Sequence, residues 1–159
     1  DGWLDLFVCD EVGYSDIFLN NQSGQLSYND YIDFTTSVPS DNSGNYGSEW
    51  VDFDDDRDLD LFITKCKPVA TSPEDPRRIN VLFVNDGNNK FSEQAEIFGL
   101  KNGDQSWTGT FGDVDNDGDL DCFVSNHDSP HILYENNNGF FENKTTDWIT
   151  AEEDRKSVV

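Results

Sequence analysis

Short apolar runs separated by turn-forming residues recur along the chain. Residues 59–65 read LDLFITK and residues 120–124 read LDCFV, and both runs are rich in β-branched and aromatic residues, which is typical of strands. Residues 80–94 hold two such runs around Asp86-Gly87-Asn88-Asn89, a pattern that predicts a hairpin. No segment keeps a helical period over three turns. The pattern therefore predicts an all-β protein.

The predicted strands belong to a repeated unit. The aligned segments are 1–8, 56–63 and 117–124, and a second motif follows them at 17–21, 81–86 and 132–137. In the middle repeat the predicted strands are 46–53, 59–65, 79–85 and 90–96. Apolar residues on both faces of these strands predict stacked sheets, and four-stranded antiparallel units stacked radially form the blades of a β-propeller.

The repeats also suggest how the chain is divided. We expect a partial blade at 1–34, whole blades at 45–96 and 105–146, and a linker or the start of a next element at 147–159. Because residues 1–8 align with the middle of a repeat, we expect a partial propeller, a fragment of about two and a half repeats. Its predicted partners are further blades, from the same parent chain or from neighbouring chains, and a protein or glycan ligand.

The charge of the chain narrows the possible ligands. Asp and Glu number 33 against 10 Lys and Arg, which gives a formal net charge of −23. This excess disfavours nucleic acid and anionic membrane surfaces as partners and favours cations. No apolar run approaches eighteen residues, so we predict no membrane insertion.

Much of the acidic excess falls in two nine-residue segments, 52–60 and 113–121. The candidate ligands are Asp52, Asp54, Asp56, Asp58 and Asp60 in the first and Asp113, Asp115, Asp117, Asp119 and Asp121 in the second. Positions 1, 3, 5 and 9 offer carboxylates, position 7 would offer its carbonyl, and Gly118 at position 6 permits a left-handed turn. Hard oxygen ligands in this number suit Ca²⁺, so we predict two calcium loops.

An EF-hand shares part of this motif but requires a bidentate Glu at position 12 and flanking helices. Position 12 is Ile63 in one loop and Val124 in the other, both inside predicted strands, so the EF-hand reading fails. In the first loop Arg57 replaces the glycine, which costs roughly 1 kcal/mol if the residue stays left-handed. Its charge would also oppose a cation unless the guanidinium pairs with Asp55.

A third loop is represented by its second half alone. Asp1 stands at position 5, Trp3 at position 7 and Asp5 at position 9. Asp1 and Asp5 are therefore candidate ligands of a third, partial calcium loop.

The motifs at 107–121 and 133–140 resemble the FG-GAP (or VCBS-type) repeat of integrin α-subunit propellers and of secreted proteins similar to cartilage acidic protein. The resemblance implies calcium in the loop between the first and second strands of each blade. It implies little about function, because such propellers serve in adhesion, ligand binding, scaffolding and, in some cases, catalysis.

Our leading hypothesis is a non-enzymatic, extracellular binding, adhesion or scaffold module held by calcium. The alternatives are a structural subunit of an extracellular fibre or surface assembly, and a non-catalytic part of a propeller enzyme such as a polysaccharide lyase. His127 and His131 lie in a connecting loop with no visible nucleophile. Asn21 and Asn143 begin N-glycosylation sequons, so they are candidate glycan sites.

Overall fold

The computed structural model describes residues 2–30, 32, 43–88 and 90–149. This part of the chain forms eleven strands and two four-residue helices. The strands are β1 Leu6–Val8, β2 Asp16–Asn20, β3 Leu26–Asn29, β4 Asn45–Val51, β5 Asp60–Lys65, β6 Val81–Asn85, β7 Phe91–Glu93, β8 Ser106–Gly112, β9 Asp121–Asn126, β10 Ile132–Asn137 and β11 Phe140–Asn143. The helices are α1 Ala95–Phe98 and α2 Thr145–Trp148.

The strands form three antiparallel sheets in which chain neighbours pair. The first sheet has the order β1-β2-β3, the second β4-β5-β6-β7 and the third β8-β9-β10-β11. The predicted all-β fold of stacked propeller blades is confirmed, with three strands rather than four in the described part of the first sheet. Most of the segment predicted at 147–159 lies outside the described residues.

The predicted hairpin is present, since β6 and β7 pair in the register Asn85↔Phe91. The fourth strand of the middle repeat, predicted to reach residue 96, ends at Glu93 instead. The Glu93 carboxylate accepts the backbone N–H of Ala95 at 2.8 Å, and the chain turns there into α1. The prediction was wrong at this point because a side chain satisfies the N–H that a longer strand would have used.

Apolar side chains fill both spaces between the sheets. One cluster, with Phe7, Ile17 and Leu61, lies between the first and second sheets. The other, with Phe62 and Val124, lies between the second and third. All residues of β5 are buried, because a sheet covers each of its faces.

The second and third sheets approach each other closely at two glycines in their first strands, β4 and β8. A Cβ atom at Gly47 in β4 would lie 2.7 Å from the carbonyl oxygen of Trp107 in β8. A Cβ atom at Gly109 in β8 would lie 2.5 Å from the ring of Phe62. Glycine at these two positions therefore sets the spacing of the second and third sheets. Within the described residues no helix is long and apolar enough to span a bilayer.

Candidate metal centre

Each acidic segment joins the first two strands of a four-stranded sheet. Residues 52–60 connect β4 to β5, and residues 113–121 connect β8 to β9. Both strand pairs are antiparallel. In each pair the residue before the loop is opposite the last residue of the loop, as Val51↔Asp60 and Gly112↔Asp121. The last aspartate of each loop is thus the first residue of a buried strand.

The structure brings the carboxylates of positions 1, 3 and 5 together in both loops. Oxygen atoms of Asp52, Asp54 and Asp56 all lie within 4.8 Å of one another, and so do those of Asp113, Asp115 and Asp117. The predicted ligands at positions 7 and 9 do not belong to these groups: Asp58, Asp119, Asp60 and Asp121. Three converging carboxylates form an oxygen-rich cup of the kind that holds a hard cation.

Two left-handed residues in each loop turn the backbone around this cup. At position 6, Arg57 has φ 77° and Gly118 has φ 104°, so the arginine does take the conformation that the glycine takes. At position 4, Asp55 has φ 58° and Asn116 has φ 65°, a second left-handed position that was not predicted from the sequence. The signal was present, because Asp and Asn tolerate left-handed backbone better than other non-glycine residues. In the described part of the chain no ion pair joins Arg57 to Asp55.

The aspartates at position 9 are the buried members of the set, since Asp60 and Asp121 are each 1% exposed. Asp60 Oδ1 accepts the backbone N–H of Asn85, and Asp121 Oδ1 accepts that of Asn136, both at 2.9 Å. These bonds fix one oxygen of each carboxylate to the neighbouring strand, so the second oxygen faces the loop.

The second oxygens differ between the two loops. Asp121 Oδ2 accepts the N–H of Val114 at 2.8 Å. Asp60 Oδ2 is buried without a hydrogen bond of ordinary geometry. The Phe53 N–H nevertheless lies near enough to the Asp60 carboxylate to lower its pKa. Asp119 Oδ1 is also buried and unpartnered among the described residues. A buried carboxylate oxygen that lacks a donor is a natural ligand for a cation.

The carboxyl groups also repel one another. Burial raises the pKa of Asp60 to about 7, with the charges of Asp54 and Asp56 adding to the rise. Loss of solvent contact, followed by the charges of neighbouring aspartates, raises the pKa of Asp54, Asp115 and Asp119. A bound cation would relieve both costs.

The partial third loop keeps the geometry of its second half. Asp5 Oδ1 accepts the N–H of Asn20 at 2.8 Å, as the position 9 aspartates of the other loops accept Asn85 and Asn136. Asp1 lies outside the described residues. That Asp1 and Asp5 ligate calcium stays a prediction.

Three asparagines belong to the site but were not singled out from the sequence. Asn20, Asn85 and Asn136 each donate the backbone N–H to a position 9 aspartate and the side-chain amide to the carbonyl that precedes it. Their signal was the asparagine repeated in the second motif. The role of this asparagine becomes visible when the second and third strands of each sheet are paired.

The family model of the FG-GAP-like repeat matches residues 69–124 and 113–159. These adjacent matches cover more than half of the chain. The chain belongs to the FG-GAP-like repeat family. No curated protein sequence matches it. The repeat and the stacked sheets together make it a β-propeller-like module, and the loop 113–121 lies within the matched repeats.

The remaining candidates lie away from the acidic loops. His127 stacks on Trp107 with ring centroids 4.8 Å apart, and His131 accepts the N–H of Asn126. Asn21 lies in the turn after β2, Asn143 ends β11, and both are exposed. Their glycosylation stays a prediction. Cys66 and Cys122 are buried free thiols.

Proposed function

We propose that the loops 52–60 and 113–121 of this FG-GAP-like module bind Ca²⁺ and hold its sheets in place. The observation that carries this proposal is the convergence of three carboxylates in each loop, which ends in a buried aspartate at position 9. The residues fit the ion, because every side-chain donor is a hard oxygen and one buried oxygen of Asp60 lacks a hydrogen-bond partner of ordinary geometry.

Calcium suits this donor set better than the other common metal ions. Carboxylate and carbonyl oxygens select Ca²⁺, Mg²⁺ or Mn²⁺ over Zn²⁺ or Cu²⁺, which prefer nitrogen and sulfur. Mg²⁺ keeps several of its water molecules and seldom takes four carboxylates from one loop. We therefore expect Ca²⁺ to displace Mg²⁺ from both loops.

Removal of calcium tests this assignment most directly. Chelation leaves the clustered carboxylates of both loops uncompensated, and an ion that binds the folded state alone stabilises it by mass action. We expect the Tm to fall steeply when EDTA is added at low salt and to recover with excess Ca²⁺ but less with Mg²⁺. A Tm that EDTA leaves unchanged would refute the metal assignment.

We further propose that the module is extracellular and non-enzymatic, and that it serves in binding, adhesion or scaffolding. The support is chemical, since extracellular calcium near the millimolar range fills loops of modest affinity. The strong negative charge favours partners that bring cations or neutral surfaces. A calcium-dependent pull-down from the extracellular fraction, absent for an Asp115→Ala and Asp54→Ala double variant, would support the role. Turnover of a polysaccharide by the purified chain would contradict it.

Further blades, from the same parent chain or a neighbouring one, are the partners that we propose for the first sheet. Leu6 in β1 is 45% exposed and Tyr28 in β3 is 65% exposed, while Leu61 and Ile63 of the middle sheet lie buried beneath the first sheet. Exposed apolar residues on a sheet favour a covering partner. We expect the 159-residue chain alone to associate in light scattering. A monodisperse monomer that melts cooperatively would contradict this proposal.

A further inference from the structure

The side chain of Asn136, at the end of β10, contacts both acidic loops. Its backbone N–H donates to Asp121 Oδ1 at 2.9 Å, and its amide Nδ2 donates to the carbonyl of Leu120 at 3.1 Å. The same Nδ2 donates across the sheet interface to the carbonyl of Phe53, also at 3.1 Å. Asn136 is 1% exposed, and its Oδ1 accepts the N–H of Gly139. Both amide hydrogens are therefore committed, one to each loop.

Asn85 occupies the equivalent place in the middle sheet and provides an internal comparison. It donates its N–H to Asp60 Oδ1 and its Nδ2 to the carbonyl of Leu59, and its Oδ1 accepts the N–H of Gly87. These bonds all stay within its own sheet and loop. Within the described residues the bond from Nδ2 to a neighbouring loop is thus present at Asn136 and not at Asn85, whose neighbouring loop is represented by its second half alone.

The carbonyl that Asn136 holds is well placed to control the loop 52–60. Phe53 lies between Asp52 and Asp54, two of the three carboxylates that converge. A hydrogen bond to its carbonyl fixes the peptide plane from which the Asp54 side chain departs. The Phe53 ring is wedged between Phe98 and Phe141, with centroids 4.9 and 5.9 Å away. The backbone of this loop is therefore anchored in the third sheet as well as in its own.

We propose that Asn136 is a positioning residue that couples the two calcium loops, so that Ca²⁺ in either loop raises the affinity of the other. The inference rests on the proposed calcium function. An ion in the loop 113–121 orders Asp121, which holds Asn136, which in turn holds the Phe53 carbonyl. The loop 52–60 then loses less conformational freedom when it binds its own ion. By linkage the effect is reciprocal, and couplings of this kind are worth roughly fivefold or more in affinity.

A double-mutant cycle on the full chain tests the coupling, with Ca²⁺ as the probe. Occupancy would be followed by NMR at the amide of Asp56 for the loop 52–60 and at that of Asp117 for the loop 113–121. Disabling the second loop with Asp115→Ala should weaken calcium binding at the first by about fivefold or more. In an Asn136→Ala background, Asp115→Ala should change the calcium affinity of the loop 52–60 by less than about twofold, because the hydrogen bond to the Phe53 carbonyl is already broken.

Asn85→Ala is the matched control. It removes the same local bonds in the middle sheet and should weaken the loop 52–60 directly. The further effect of Asp115→Ala should stay at about fivefold, because the link through Asn136 is intact. If Asn136 had a merely structural role in the third sheet, Asn136→Ala would leave the roughly fivefold effect of Asp115→Ala on the calcium affinity of the loop 52–60 unchanged.

Two further measurements keep the proposal testable if Asn136→Ala fails to fold. Asn136→Ser is shorter and polar, and it should break the bond to Phe53 with less damage to the strand. In an Asp56→Ala variant with the native Asn136, filling the loop 113–121 should shift the amide nitrogen of Asp54, which follows the Phe53 carbonyl.

The outcomes separate the two proposals. Loops that bind Ca²⁺ independently in the native chain, or a coupling that Asn136→Ala and Asn136→Ser leave intact, would overturn the role of Asn136 and leave calcium binding standing. Absence of calcium binding at either loop in millimolar Ca²⁺ would overturn the proposed function and the coupling with it. An unshifted Asp54 amide in the Asp56→Ala variant would also count against the coupling.

Discussion

The loops 52–60 and 113–121 follow the same backbone path in different surroundings. In the last loop Gly118 provides the left-handed residue at position 6, and Val114 at position 2 is 54% exposed. In the middle loop Arg57 is held in that conformation, and Phe53 at position 2 is 2% exposed between two sheets. The conformation of the loop 113–121 therefore depends on the backbone freedom of Gly118, whereas that of the loop 52–60 depends on the packing of Phe53 against the neighbouring sheet.

The comparison extends to the oxygens that face the ion. In the middle loop the carboxylate of Asp52 accepts the backbone N–H groups of Asp56 and Arg57, each at 3.1 Å. In the last loop Asp121 Oδ2 accepts the N–H of Val114 instead. In the same nine-residue motif the loop backbone can therefore be held by the carboxylate at position 1 or by the carboxylate at position 9. Which of them acts depends on the backbone N–H groups that the fold brings near.

The largest expected difference concerns the buried aspartates. In the metal-free protein at pH 8, Asp121→Ala leaves two backbone N–H groups without acceptors and should cost on the order of 3 kcal/mol of unfolding free energy. Asp60→Ala leaves one such group and removes a costly buried charge, so we expect about 1 kcal/mol or less. Denaturant titration measures both, with the exposed Asp16→Ala as control. Equal losses would show that the loops do not differ at position 9.

Calcium affinity provides the next comparison. Asp54→Ala and Asp115→Ala each remove one converging carboxylate and should weaken their own site by roughly tenfold or more, because affinity follows ligand charge. In the native chain we expect the loop with Asp115 to be the tighter, since it keeps Gly118. Titration calorimetry of the two variants, each with one intact loop, gives the ranking. A tighter loop with Arg57 would mean that packing around Phe53 outweighs the missing glycine.

Exchanging the residue at position 6 isolates the backbone contribution. Arg57→Gly should stabilise the metal-free protein by about 1 kcal/mol, and Gly118→Ala should destabilise it by a similar amount, because L-residues resist positive φ. A Cβ atom at Gly118 would meet nothing within 4 Å, so strain alone is tested. Gly112→Ala also meets nothing within 4 Å, and it serves as the control at ordinary φ. The Tm in thermal melts measures these changes, and a Tm that falls for Arg57→Gly would exclude strain at Arg57.

A last comparison concerns the pH dependence of stability in the metal-free protein. The pKa of Asp60 is raised to about 7 in the folded state against an ordinary value of 3.8, so folding favours the protonated form. Its contribution to stability is full below about pH 4 and is lost as the pH rises through 7. Between pH 5 and 8 the native chain should lose stability relative to Asp60→Asn. Parallel stability curves would contradict the raised pKa, and saturating Ca²⁺ should abolish the trend.

Much of the fold was predictable because its signals are local. The strands β5 and β9 follow from short apolar runs, and the hairpin of β6 and β7 follows from the turn around Gly87. The helix α1 was not predictable, since it depends on the Glu93 carboxylate and on burial of Ala95 beneath another sheet. A four-residue helix has no period of its own to detect.

The acidic loops can be recognised from the chain alone, because alternating aspartates and a turn-forming residue are properties of nine consecutive positions. How those loops are held depends on contacts between the stacked sheets. Asn136 and Phe53 lie 83 positions apart, and their hydrogen bond exists because two sheets stack. The wedged ring of Phe53 likewise depends on the neighbouring sheet, which contributes Phe141. Chain spacing reveals ligands, whereas desolvation and contacts across an interface depend on elements that meet only in the folded protein.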